Sequence, residues 1–149
     1  MDDRMVNELH SVVEELGGEP VLGRSFRTER DLQSAIRDGF PQTVVGEVLR
    51  STGLTLKELA GTLDVSTRSL QRRRREGRLA RTESDRLYRL ARIVALAKGS
   101  LGEDERAMRW LRRPNRALGG TAPIDSLDTE IGARAVEGVL GRIAYGGVS

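Results

Sequence analysis

The chain has 149 residues, 38% hydrophobic and 32% charged, with no cysteine and one histidine, which excludes disulfides, thiolate metal sites and catalysis by several imidazoles. No run of 18 apolar residues is long enough to span a membrane, and the acidic start "MDDRMVNELH" lacks the apolar core of a signal peptide, so a cytoplasmic protein is expected. The net charge of +3 hides an asymmetry: residues 1–40 hold 5 Arg against 9 acids, residues 41–98 hold 13 Lys or Arg against 6 acids, and residues 99–149 balance at 7 against 7, so the middle carries the sign a polyanion partner needs.

Taken in chain order, residues 3–16 place Met5, Leu9, Val12, Val13 and Leu16 at helical spacing, and Gly17-Gly18 stops that helix. Thr28 caps the next helix with Asp31 as its capping-box partner, and Gly39 closes it. "FPQTVVGEVLRSTG" predicts a third helix with Pro41 in its first turn and Gly53 at its end. Thr55 and Glu58 form a capping box ahead of "LKELAGTL", Asp64-Val65 makes a turn, and Ser66 caps "TRSLQRRRRE", which Gly77 closes. Residues 82–98 predict a long helix capped by Thr82 with Asp85 and broken by Gly99 and Gly102. "EDERAMRWLRR" ends at Pro114, "NRALGGTAP" is turn-rich, and Pro123 opens a short helix through Leu127. Thr129 caps the last helix, "EIGARAVEGVLGRI". No period-2 pattern persists, no repeat is evident, and the reading is all-α with a domain boundary near residues 78–82.

Two short capped helices joined by a tight turn predict a helix-turn-helix. Leu56, Leu59, Ala60 and Leu63 line one face of the first helix, Val65 plugs the turn, and Leu70 anchors the second helix. Asp64 stands where a turn glycine is common and tolerates a left-handed backbone. Arg68, Arg72 and Arg75 then share the outward face with Gln71, while Ser66 and Thr67 sit at the helix start, where backbone N–H groups meet phosphate. Arg suits guanine and Gln suits adenine, so DNA is the favoured polyanion, ahead of RNA or an acidic protein surface. Arg73, three residues after Leu70, falls on the side facing the first helix, where an apolar residue is usual.

Nothing in the chain assembles an active site. His10 has no partner in view, "ALGGTAP" lacks the lysine and spacing of a phosphate loop, and Asp125 and Asp128 are dipole-favoured charges before a helix. Neither an enzyme nor a metal or cofactor site is expected. Trp110 and Leu111 read as core, "NRALGG" as a fixed turn with Leu118 buried, and Ile131, Val136, Val139 and Leu140 as the packed face of the last helix.

"RSLQRRRREGRLARTESDRLYRLARIVALA", the Trp110-to-Gly120 stretch, "DTEIGA" and the "LGRI…G…S" ending together resemble the Xre/MbcA/ParS antitoxins of type II toxin–antitoxin pairs whose toxins carry a RES domain. The likeness covers about residues 30–149. It implies a helix-turn-helix domain in 28–81 and a helical toxin-binding domain in 82–149 ending in an inhibitory tail, while the acidic N-terminal helix of residues 1–27 lies outside it and its role stays open. It further implies a homodimer that represses its own operon, and a C-terminus that blocks the active site of an NAD⁺-degrading RES-domain toxin. Carried over, the toxin contact falls on Glu137, Arg142, Ile143, Tyr145, Gly146, Gly147, Val148 and Ser149. The last six residues, "AYGGVS", depart from common family endings at Ala144 and Tyr145. Gly146 and Gly147 let the backbone approach a cleft, Tyr145 and Val148 can bury apolar area there, and Arg142 and the Ser149 carboxylate can meet charged groups. The tail is thus expected to be a short flexible plug beyond the last helix. A stand-alone transcription regulator, or a basic adaptor for RNA or an acidic protein, are the alternatives.

Overall fold

Caps and left-handed glycines punctuate the chain and leave helices of modest length between them. This computed structural model describes the backbone of residues 3–146 and the side chains of residues 7–146. Among these residues the fold is all-α: α1 Asp3–Glu15, α2 Gly18–Leu22, α3 Glu29–Asp38, α4 Thr43–Thr52, α5 Leu56–Thr62, α6 Thr67–Glu76, α7 Arg81–Leu101, α8 Asp104–Arg112 and α9 Glu130–Gly146. Two 3₁₀ turns, Arg116–Leu118 and Pro123–Ser126, lie between α8 and α9. By internal contacts the chain divides into two units, Met1–Arg92 and Ile93–Ser149. No helix among the described residues is long and apolar enough to cross a membrane.

In the first unit, the apolar faces of short helices meet. Val12 and Val13 of α1, Leu16 just after it, Leu32 and Ala35 of α3, and Val44, Val45 and Val48 of α4 are buried. Asp31 sets the start of α3: its carboxylate accepts N–H bonds from Arg27 at 2.7 Å and Thr28 at 3.0 Å. The Arg27 bond first and the Thr28 bond second hold the Asp31 carboxyl below its ordinary range. Its contribution is therefore present above the unfolded carboxyl's titration and is lost only as acid takes the pH down through the lowered folded value.

Several boundaries differ from the sequence reading for identifiable reasons. Gly17, at φ 105°, ends α1, but the chain re-enters a helix at once as α2, which was not expected. Pro41 lies before α4 rather than in its first turn, and pairs across an antiparallel bridge with Arg78. The long helix starts at Arg81, not after a Thr82 cap, because the Glu83 carboxylate accepts the Ala80 N–H at 2.7 Å. Gly99 stays helical, and the stop comes at Gly102, φ 78°.

In the second unit, Ala107, Met108 and Leu111 of α8, Ile124 and Leu127 around the second 3₁₀ turn, and Ala133, Val136, Val139 and Leu140 of α9 are buried. Asn115 closes the first 3₁₀ turn by accepting the Ala117 N–H at 3.0 Å, and Gly119 and Gly120 follow with positive φ. "NRALGG" is therefore a fixed turn, although Leu118 is half-buried rather than buried. Thr129 caps α9 by accepting the Gly132 N–H at 3.0 Å. Gly132 itself is a close approach: a Cβ there would stand 1.8 Å from the Ser126 carbonyl oxygen. That approach sets the rotation of α9, with Ala133 and Val136 inward. Ile131 consequently points out and is 82% exposed, contrary to its expected place on the packed face.

Gly132→Ala is expected to force α9 away from the Ser126 turn and to destabilise the second unit by about 1–3 kcal/mol. Urea denaturation followed by α-helical circular dichroism checks this. A midpoint equal to the parent's would show that the turn yields freely.

Candidate functional site

The first candidate surface is built on α5 and α6. The Thr55 N–H donates to the Glu58 carboxylate at 3.0 Å and the Glu58 N–H donates to the Thr55 hydroxyl at 3.1 Å, which completes the expected capping box. Asp64 takes φ 54°, the left-handed geometry that turns the chain, and the Val65 N–H returns to the Ala60 carbonyl at 3.0 Å. Ser66 caps α6 by accepting the Ser69 N–H at 3.0 Å. Leu59, Leu63 and Leu70 are fully buried and Ala60 nearly so, each leucine contributing about 1.5–3 kcal/mol of burial. These contacts fix which face of α6 is left over.

That face carries Ser66, Thr67, Arg68, Gln71, Arg72 and Arg75, all exposed and all on one short element. Arg72 lies 3.6 Å from Glu76 one turn on, a weak exposed pair. Arg73, the residue without an apolar role, leaves this face. It meets Glu76 at 2.9 Å and, from its Nε, Glu83 at 3.3 Å. The Glu76 hydrogen bond first, and the Glu83 charge second, raise its already high pKa, so it is a fixed cation. The Glu83 side chain is only 7% exposed, and the same oxygen accepts the Ala80 N–H. The sequence alone did not single out Glu83; its one signal was an acid three residues after Ala80.

The second candidate surface is the outer side of α9. Helical rotation gathers Ile131, Ala135, Gly138, Arg142 and Tyr145 on one stripe, all exposed. Tyr145 is 78% exposed, so the two most exposed large apolar side chains described both lie on this helix. Between them lie the small Ala135 and Gly138, with the Arg142 guanidinium beside Gly138, 3.7 Å from where a Cβ would stand. Of the expected contact residues, Arg142 and Tyr145 join the stripe, Glu137 sits at its flank half-buried, and Ile143 falls on the inner side, also half-buried. Gly146 belongs to α9, because no proline or left-handed glycine interrupts the helix after Ile143; the expected flexible segment starting at Ala144 is helical through Gly146. Gly147, Val148 and Ser149 lie outside the described residues.

Comparison with known proteins assigns each surface to a domain. Residues 31–92 match the antitoxin Xre-like helix-turn-helix domain, and residues 91–146 match the antitoxin Xre/MbcA/ParS C-terminal toxin-binding domain. The chain is 34% identical to the antitoxin Xre of Pseudomonas putida over 127 residues, which span 85% of this chain and 77% of that protein. It is 32% identical to the antitoxin Xre of Photorhabdus laumondii over 120 residues, 79% of this chain and 81% of that protein.

Glu83→Ala is expected to remove both the Ala80 cap and the inner partner of Arg73. The loss should be about 1–2 kcal/mol of stability, with faster hydrogen exchange at the Ala80 amide. Unchanged exchange at that amide would remove Glu83 from this role.

Proposed function

The chain belongs to the Xre antitoxin family, and on that footing we propose that it holds a cognate RES-domain toxin inactive through α9 and the residues after it, and represses its own operon as a dimer through α6. The observation that carries the toxin half is the exposure of Ile131 and Tyr145 on one helix of a toxin-binding domain. Two large apolar side chains left in water beside small residues are what a partner surface would cover. Tyr145 adds a hydroxyl at the rim of the contact. Glu137 in the middle of α9 and Arg142 and Ile143 in its last turns belong to this contact, and Gly147, Val148 and Ser149 are assigned to it as well. Inhibition is then steric: the end of α9 and the tail occupy the cleft that the dinucleotide substrate needs. The chain contributes no catalysis of its own and needs no cofactor.

The DNA half rests on the exposed row of Arg68, Gln71, Arg72 and Arg75, with Ser66 and Thr67 at the helix start. Phosphates bind at that start and along the arginines, and Gln71 and Arg72 read base edges. A dimer places two such helices about one DNA turn apart, so the operator is a paired half-site. The Glu76 carboxylate, which holds Arg72 and Arg73, restrains this face when DNA is absent.

Changing Arg68, Arg72 and Arg75 together to Ala should abolish operator binding in a gel-shift assay while leaving helicity intact. Arg72→Ala alone should relax the preference at one base position, costing about 1–3 kcal/mol there. A phosphate-contacting arginine should instead weaken all sequences alike and lower the salt slope by about one. Normal operator binding by the triple variant would reject the assigned face.

Deleting Tyr145–Ser149 should abolish rescue of growth from a co-expressed cognate RES-domain toxin. Full rescue by the shortened chain would reject the plug.

A further inference from the structure

The toxin-binding unit holds a second feature, beside the α9 stripe, that its family assignment does not explain. A pocket of about 450 Å³ is lined by Trp110, Arg113, Pro114, Arg116, Val139 and Arg142. Trp110 is the one tryptophan of the chain and is half-buried, not enclosed as the sequence reading expected. Arg113, Arg116 and Arg142 are exposed, and no acidic residue lines the pocket. Among the described residues, none of these three arginines forms an ion pair. Asn115 also lines it, but its Oδ1 is committed to the Ala117 N–H, which leaves the donor end of the amide for an acceptor.

Three cations converging without a counter-charge is unfavourable in the free chain, and an arriving carboxylate relieves it. The guanidinium fork matches a carboxylate in two-point geometry. Trp110, Pro114 and Val139 supply apolar wall beside the charges, so the fitting group is a carboxylate carried next to an aliphatic or aromatic side chain. Trp and Arg in a concave site are also the residue types that carry most of the energy of protein interfaces. Arg142 belongs both to this pocket and to the exposed stripe of α9, which makes the two surfaces continuous.

We propose that this pocket is an anchoring site on the toxin-binding unit. It receives an acidic side chain and its apolar neighbour from an exposed loop of the toxin, outside the toxin's catalytic cleft. The proposal deepens the toxin-binding reading and rests on it. The plug at the end of α9 inhibits, whereas the pocket holds the toxin in register and lengthens its residence. Charge complementarity makes this anchor sensitive to salt, while the apolar contact over Ile131 and Tyr145 is not.

The test uses the full chain and its cognate RES-domain toxin, with affinity read by titration calorimetry. A double variant, Arg113→Glu with Arg116→Glu, is compared with a control of equal charge change on the same unit, Arg106→Glu with Arg109→Glu. All four side chains are exposed, and circular dichroism checks that both variants keep the parent's helicity, the control losing only the exposed Arg109–Glu105 pair. The expected result is a loss of at least tenfold in affinity for the pocket variant, a change of less than threefold for the control, and a flatter salt dependence in the pocket variant. Equal losses in both would reduce the effect to net charge and overturn the anchor. Parental affinity in the pocket variant overturns it while leaving the toxin-binding reading intact. A parent chain that fails to bind the toxin overturns both. Because Trp110 is the sole tryptophan, its fluorescence in the isolated chain supplies a second check. Saturable quenching by micromolar ADP would make the pocket a nucleotide site and reject the protein anchor.

Discussion

The helix-turn-helix depends on one short antiparallel contact between the chain before α4 and the chain after α6. The Leu79 N–H donates to the Phe40 carbonyl at 2.9 Å, and the Gln42 N–H donates to the Gly77 carbonyl at 2.9 Å. Arg78 adds a bond from its guanidinium to the Gly39 carbonyl at 2.7 Å, and the buried Phe40 N–H donates to the Ser84 hydroxyl at 2.9 Å. Gly39, at φ 86°, sits so close that a Cβ would stand 2.3 Å from the Leu79 carbonyl oxygen, so no other residue fits. A chain that leaves α6 in this way must enter α7 at Arg81. The Glu83 carboxylate then serves twice, as the cap of α7 and as the inner partner of Arg73. Without that partner, Arg73 would keep only the exposed Glu76 carboxylate, and its Nε, on the inner side of α6, would face the core with no acceptor. With it, the helix can carry four consecutive arginines and still pack.

The two candidate surfaces work by different physics. On α6 the apolar residues are spent inside, and the outer face offers only charge and hydrogen bonds. Such a face suits a polyanion, whose binding by charge is strongly salt-dependent and whose sequence is read through a few side chains. On α9 the outer face keeps apolar side chains and small residues, which suits a shaped protein surface from which water is expelled. The family assignment follows the same division, with a helix-turn-helix domain over residues 31–92 and a toxin-binding domain over residues 91–146. The pocket around Trp110 puts both kinds of lining, arginines and apolar wall, in one place.

Local chemistry was legible in the sequence wherever a residue acts on its near neighbours. Thr55 with Glu58, Ser66, Thr129, Asp64 and Gly77 all perform at their positions as spacing indicates, because a cap or a turn needs only three or four residues. The buried face of the helix-turn-helix was legible for the same reason, since 3.6-residue periodicity sorts Leu59, Leu63 and Leu70 from Arg68, Arg72 and Arg75. Legibility failed where partners are distant in the chain. Arg73 was anomalous by periodicity, and its explanation lies ten residues away across a turn. Pro41 resembled a helix start, yet it pairs with Arg78. Ile131 looked like core by composition, and the close approach of Gly132 to Ser126 turned it outward.

The sequence by itself determined the all-α class, the helix-turn-helix, the exposed arginine row and the family, because these depend on local spacing and on motifs that survive as residues. Only the tertiary structure decided the rotation of α9, the helical state of Tyr145 and Gly146, and the gathering of Trp110 with Arg113, Arg116 and Arg142. These depend on how close two backbones come and on which side chains then face solvent. A pattern of residue types does not carry that distance; a glycine packed against a carbonyl oxygen does.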